Sequence, residues 1–301
     1  MTTLAPSRFL DLRALATLEH MRFATRHRIE GSYSGRHRSR QQGGAGEFVD
    51  FREYSAGEDL RRLDWKVLAR TGKSYLRLFQ DETNLLCTLA IDASGSMNFG
   101  QAVKSRGSKL QFAQFLATAL SHIISRGQDQ VGVAVITEKL ETFVPPQGGR
   151  NHAQRVQEIL ENIQTQPTTQ MSAALRELFQ RTTRRGVLVL VSDFLMDDLE
   201  GVFAALRLFR HRQSEVIVLH LIDPDEERLP EGSAYRFDGL ENEGNIDCSP
   251  AEIRVLYEQR FDAHTASVRS LALAEGCDYR RVSTGISYLQ TLGEFLVERT
   301  G

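Results

Sequence analysis

From residue 85 onward, short and almost wholly apolar runs alternate with longer amphipathic stretches, and this alternation narrows the possible folds more than any other feature of the chain. The runs fall at 85–91 (LLCTLAI), 131–136 (VGVAVI), 187–192 (VLVLVS) and 216–222 (VIVLHLI), with an edge strand expected near 278–283. A strand without a polar face must be covered on both sides, which predicts a mostly parallel sheet between two layers of helices. Segments 108–126, 151–164, 171–184, 199–212, 250–275 and 287–299 are too long for strands and carry polar faces, so they are the expected helices. The class is therefore α/β, doubly wound. The polar, turn-rich stretch 224–248 reads as an excursion carrying a short β element.

Residues 1–80 have a different texture and are expected to form a small N-terminal subdomain, leaving 81–301 for the sheet. Leu10, Leu12, Leu15 and Leu18 recur at helical spacing and predict a helix within 6–28, while 31–46 (GSYSGRHRSRQQGGAG) is a loop by composition. Asp64-Trp65-Lys66 is placed on a short helix and 74–79 on a strand. This head holds 15 Lys/Arg against 9 Asp/Glu, a surplus of +6 that leaves −8 for the body, although the whole chain is nearly balanced at −2. Its arginines alternate with acids and no aromatic platform is interleaved, so nucleic-acid binding through this basic segment stands only as an alternative reading.

Cys87, Cys248 and Cys277 are far apart and form no CxxC pair, so neither a disulfide framework nor a zinc ribbon is indicated and a reducing compartment is expected. The first residues lack the unbroken apolar core of a signal peptide, and no apolar run approaches the roughly 18–20 residues that span a bilayer. A soluble, cytoplasmic protein without a membrane span is the expectation.

The first apolar strand runs into Asp92-Ala93-Ser94-Gly95-Ser96, which places a carboxylate and two hydroxyls at the C-terminal edge of a parallel strand, where open α/β sheets bind ligands. Alternate oxygen-bearing side chains on a tight turn suit hard cations such as Mg²⁺. Asp193 ends a later strand at the same edge, and Thr168-Thr169 stand just before the helix MSAALREL, so three loops are expected to converge. Together these residues resemble the metal-ion-dependent adhesion site of von Willebrand factor A domains.

The segment from Gly46 to Asp59 (GEFVDFREYSAGED), followed by Arg61-Arg62-Leu63-Asp64-Trp65 and Ala69-Arg70-Thr71-Gly72, narrows the resemblance to the bacterial family called domain of unknown function 58, over roughly residues 30–200. That resemblance implies a von Willebrand factor A-like fold and a MoxR-type AAA+ ATPase as partner in assembling or activating other proteins. It further implies that Ser94 and Ser96 bind a cation directly, that Asp92 and Asp193 bind it directly or through water, and that Thr169 completes the set. Thr169 is preferred to Thr168 because it stands six residues before Leu175; Gln166-Pro167 replace the family's usual glycines, and Phe194 replaces the Gly common after the aspartate in adhesion domains. The cofactor implied is Mg²⁺, or Mn²⁺ or Ca²⁺ in its place, and its last ligand is an acidic residue of a protein partner. Glu47, Arg52, Glu53, Tyr54, Glu58, Asp59, Arg61, Asp64 and Arg70 read as a structural ion-pair and cap network with Trp65 as its apolar anchor, or else as a second partner-contact surface.

Catalysis is the less favoured reading. A Mg²⁺-dependent hydrolase of the aspartyl-phosphate kind needs a second aspartate where Ser94 stands, and there is no GxSxG elbow, no HExxH and no histidine pair at i, i+4. Gly72-Lys73-Ser74 lacks the leading glycine and strand of a phosphate-binding loop. His220, inside an apolar strand, reads as a satisfied buried histidine, and Asp197-Asp198 as a helix cap.

Overall fold

A computed structural model describes residues 9, 15–18, 20–24, 47–55, 63–80, 85–100, 107–232, 234–241 and 243–300. The chain divides into two compact units, one of Arg26–Asn84 and one of Met1–Thr25 with Leu85–Gly301. The division differs from the expected 1–80 and 81–301, because the first segment belongs to the larger unit. Phe9, Leu15, Leu18 and Phe23 are buried, with the Phe9 ring edge-on to Phe115 at 4.7 Å and Phe23 tilted against Phe295 at 6.0 Å. Of the helix expected within 6–28, the described residues show a short 3-10 turn at Ala16–Leu18, and Leu10 and Leu12 lie outside them.

In the smaller unit, β1 (Glu47–Glu53) pairs antiparallel with β2 (Tyr75–Gln80), and α1 (Trp65–Thr71) lies between them in sequence. Asp64 starts α1 by accepting from the backbone N–H groups of Lys66 (2.9 Å) and Val67 (3.1 Å), and Gly72, at φ 70°, ends it in the left-handed region. The glycine of Gly72-Lys73-Ser74 therefore closes a helix, whereas a phosphate loop would open one.

The larger unit contains β3 (Leu86–Asp92), α2 (Lys109–Arg126), β4 (Gln130–Ile136), β5 (Leu140–Gln147), α3 (Arg150–Glu161), α4 (Met171–Arg181), β6 (Val187–Ser192), α5 (Leu199–His211), β7 (Glu215–Ile222), α6 (Pro224–Glu227), β8 (Tyr235–Asp238), β9 (Asn245–Cys248), α7 (Pro250–Ala274), β10 (Asp278–Ser283) and α8 (Tyr288–Thr300). Six strands form one sheet in the order β10-β7-β6-β3-β4-β5, parallel except for β5, which runs antiparallel along β4. The class is α/β, a mostly parallel sheet flanked by helices, as the alternation of apolar runs and amphipathic stretches predicted. Alternate residues of the central strands, Ala90, Ala134, Ile136, Leu188, Leu190, Val216 and Val218, pack with α4, α5 and α7 through Leu175, Leu178, Phe203, Leu206 and Val268. The intervening Leu89, Ile91, Val133, Val135, Val189, Val191, Ile217 and Leu219 are equally buried and point to the opposite face by the pleat. The excursion after β7 is a hairpin, β8 with β9, as the turn-rich composition predicted.

Candidate metal site at the sheet edge

Strand register builds the site. In β3 and β6, Ile91 lies opposite Val191, so Asp92 and Ser192 leave the sheet side by side, and the Ser192 hydroxyl donates to Asp92 Oδ2 at 2.6 Å. Asp92 Oδ1 accepts from the Ser94 backbone N–H at 2.9 Å, which bends the chain into the 3-10 turn Gly95–Asn98. That bend points both serine side chains inward, their Oγ atoms 3.0 Å apart. Asp92, Ser94, Ser96 and Asp193 are all buried, at 0, 1, 8 and 2% exposure. The structure thus brings together these four predicted residues.

Thr169 sits in the neighbouring loop. The Gln166 N–H donates to the Ala93 carbonyl at 2.8 Å and holds that loop beside the turn, while the Thr169 hydroxyl donates to the Thr137 carbonyl at 3.2 Å. Donation spends the Thr169 proton and leaves lone pairs on its oxygen. Thr168 is exposed, and its hydroxyl donates to Glu138 at 2.5 Å.

Sequence reasoning missed the strongest charge in the site. Lys109, at 0% exposure, lies at the first position of α2, and its ammonium donates to Asp193 Oδ2 at 2.6 Å and to Glu226 of α6. A cation at a helix N-terminus opposes the helix dipole, so a lysine directly after the capping Ser108 was the available signal that carboxylates wait there. Glu226 also had a signal, since Asp223-Pro224-Asp225-Glu226 forms a capping box with proline at its first turn. Glu241 had none: from the hairpin loop its Oε1 accepts the Ser96 N–H at 3.1 Å.

The Lys109 ammonium thus meets two carboxylates, those of Asp193 and Glu226, while Asp92 and Glu241 are bonded to the serine turn instead. Burial works against Lys109's charge, but Asp193 and Glu226 outweigh it and raise its pKa. Burial likewise pushes against Asp193, yet Lys109 holds it below the usual carboxylate range. Asp92 gains no such relief: burial first, and the Asp193 charge second, raise it to about 7. Among the described residues no group of three or more His, Cys, Asp and Glu is arranged to hold a metal, so a cation here would depend on the serine hydroxyls.

Two further residues tie the site to the sheet. His220 is 2% exposed, with Nδ1 2.9 Å from the Tyr279 hydroxyl and Nε2 3.0 Å from the Asp193 carbonyl, and burial pulls its pKa down to about 4. It is a satisfied core histidine, as expected. Phe194 holds φ 55°, which explains why glycine suits this position, and the fully buried ring stacks on Phe203 at 5.8 Å.

The N-terminal signature gathers differently. Asp64 is a helix cap, and Arg52, Glu53 and Arg70 are exposed. The Tyr54 N–H donates to the Ser74 carbonyl at 2.9 Å. Trp65 is 60% exposed and is not the apolar anchor expected; Leu63 and Leu76, bridged to each other and 7 and 4% exposed, are the buried pair. Glu58, Asp59 and Arg61 lie outside the described residues, as does the side chain of Glu47. A cavity of about 310 Å³ opens at the opposite end of the sheet, lined by Leu86, Phe143, Pro145 and Arg181, and shares no residue with the site. Among the described residues no helix is long and apolar enough to cross a membrane.

Comparison with known proteins places this geometry in context. A family profile described as "Protein of unknown function DUF58" matches residues 50–267. Uncharacterized proteins of Mycobacterium tuberculosis and Mycobacterium bovis are 28% identical over 304 residues, covering 96% of this chain and 90% of theirs. Among solved structures, the conserved hypothetical protein BatB from Bacteroides thetaiotaomicron is 20% identical, with a TM-score of 0.49 over 71% of this chain and 98% of that one. An aerotolerance-related membrane protein from Bacteroides fragilis is 22% identical, with a TM-score of 0.47 over 70% and 98%. The SpRpn10 VWA domain is 11% identical, with a TM-score of 0.39 over 70% and 95%.

Proposed function

The chain belongs to the DUF58 family, and from that membership and the geometry of its sheet edge we propose that it is a non-catalytic protein-binding module whose grip on its partner depends on a divalent cation. The observation that carries this is the 3.0 Å separation of the Ser94 and Ser96 hydroxyl oxygens. Octahedral Mg²⁺ with bonds of about 2.1 Å sets adjacent ligands about 3 Å apart. The charge balance supports the same reading, because among the described residues Asp92 is buried with hydroxyl and amide donors but no cationic partner.

Ser94 and Ser96 would hold Mg²⁺, or Mn²⁺ or Ca²⁺, through their hydroxyls. Asp92 and Asp193 would bind it or its water, and Thr169 would offer the lone pairs that its bond to Thr137 leaves free. Ligated by neutral hydroxyls, such a cation keeps much of its charge and a position that an Asp or Glu of another protein can fill. Asp92 accepts from Ser94 and Ser192, and Asp193 from Lys109 and Leu195, contacts that fix both carboxylates at the sheet edge where the cation would sit. A MoxR-type AAA+ ATPase as the partner, with assembly or activation of other proteins as the task, completes the proposal and draws its support from the signature segment 46–72.

Wild-type protein and Ser94→Ala, each used as bait in a lysate with Mg²⁺ or with EDTA, test the proposal. A protein retained only by wild type with Mg²⁺, identified by mass spectrometry as an AAA+ ATPase or its client, is the expected result. Identical retention in all lanes would remove the metal from the contact.

A further inference from the structure

We infer that Glu241 is a member of the same site, an internal carboxylate that fills the position a partner's acidic residue would take, so that the β8–β9 hairpin closes the site until a partner displaces it. The inference rests on the metal reading above. Three observations carry it. Glu241 Oε1 lies 3.1 Å from the Ser96 backbone nitrogen and accepts its N–H. That turn also sets the Ser96 and Ser94 hydroxyl oxygens 3.0 Å apart, beside the buried Asp92 carboxylate. Hydroxyl and carboxylate oxygens gathered at one turn can each give a lone pair to a single cation.

The loop is seated directly on the turn. A Cβ on Gly95 would stand 2.3 Å from the Leu240 carbonyl oxygen, so Gly95 is what allows the loop to approach. The rest of the hairpin is loosely held: β8 pairs with β9 alone among the described strands, and Tyr235, Leu240 and Ile246 are 40, 41 and 67% exposed. Glu241 is therefore the point at which an otherwise exposed hairpin grips the site. An acidic side chain presented by another protein offers the same chemistry and can exchange with it.

The competing explanation is that Glu241 merely caps the free N–H of Ser96. Glu241→Gln separates the two, because the amide oxygen still accepts from Ser96 while the negative charge is lost. The experiment titrates the full chain with Mn²⁺ and follows water-proton relaxation for wild type, Glu241→Gln, Ser94→Ala and the exposed hairpin control Asp247→Asn. In Glu241→Gln, Mn²⁺ should bind about tenfold more weakly, through loss of a charged ligand. The bound ion should relax water faster, and added acetate should reverse that gain while leaving wild type and Asp247→Asn unchanged. If Mn²⁺ binding requires Ser94 but Glu241→Gln matches wild type in affinity, relaxation and response to acetate, Glu241 is only a cap and the proposed function stands without it. If wild type and Ser94→Ala fail alike to bind Mn²⁺, both readings fall.

Discussion

Lys109 shows how much of the site's stability hangs on one side chain. Its ammonium is the cation that Asp193 and Glu226 share, and all three are buried. Lys109→Met keeps the volume but strands two carboxylates away from water, which should cost about 3–5 kcal/mol. Urea denaturation of the variant checks this, and Lys109→Met combined with Glu226→Gln should recover part of the loss. A loss below about 1 kcal/mol would mean that the carboxylates find other relief. Phe194 is the reverse case, a residue held in a left-handed conformation that costs roughly 1–3 kcal/mol and is retained because its ring is buried between Phe203 and His220. At this scale the sequence displayed Asp92, Ser94, Ser96 and Asp193, because a turn of five residues and a strand end are local features. It did not display the closure of the site by Lys109, Glu226 and Glu241, which come from three distant segments and meet only through the sheet.

Among the elements, the four central strands were legible because each is apolar on both faces, and a run of that kind has few alternatives to a covered parallel strand. The edge strand β5 was not. Its sequence LETFVPPQ alternates weakly and contains Pro145 and Pro146, which cannot donate to a ladder and are tolerated only because β5 lies at the sheet edge. The first segment was placed with the wrong unit for a similar reason, since what attaches it is remote in sequence. Arg299 of α8, with a fully buried side chain, donates to Glu215 at 2.6 Å, to Asp278 at 3.1 Å and to the Ala24 carbonyl at 2.7 Å. Its guanidinium also lies 5.0 Å from the Phe23 ring and 5.4 Å from that of Phe295. Arg299→Met should therefore destabilise the larger unit by about 2–4 kcal/mol and speed amide exchange at residues 20–24. Unchanged exchange there would show that Phe9 and Phe23 hold the segment unaided.

For the whole molecule, the consequence is a linkage between the sheet edge and global stability. The site draws on β3, β6, α2, α6 and the hairpin, so its carboxylates repel one another across elements that must all be folded for the site to exist. A ligand that binds only the folded state adds RT ln(1 + [L]/Kd), about 2.7 kcal/mol at a hundredfold excess over Kd. For a unit of this size, 1 kcal/mol corresponds to roughly 2–4 °C in melting temperature. Saturating Mg²⁺ should then raise the calorimetric transition of the larger unit by about 5–10 °C, and EDTA should reverse it. Ser94→Ala should melt near the metal-free wild type and respond little to Mg²⁺, because one of the two converging hydroxyls is gone. A shift of equal size in both proteins would assign the effect to general ionic screening of the acidic body, and would remove the cation from the sheet edge.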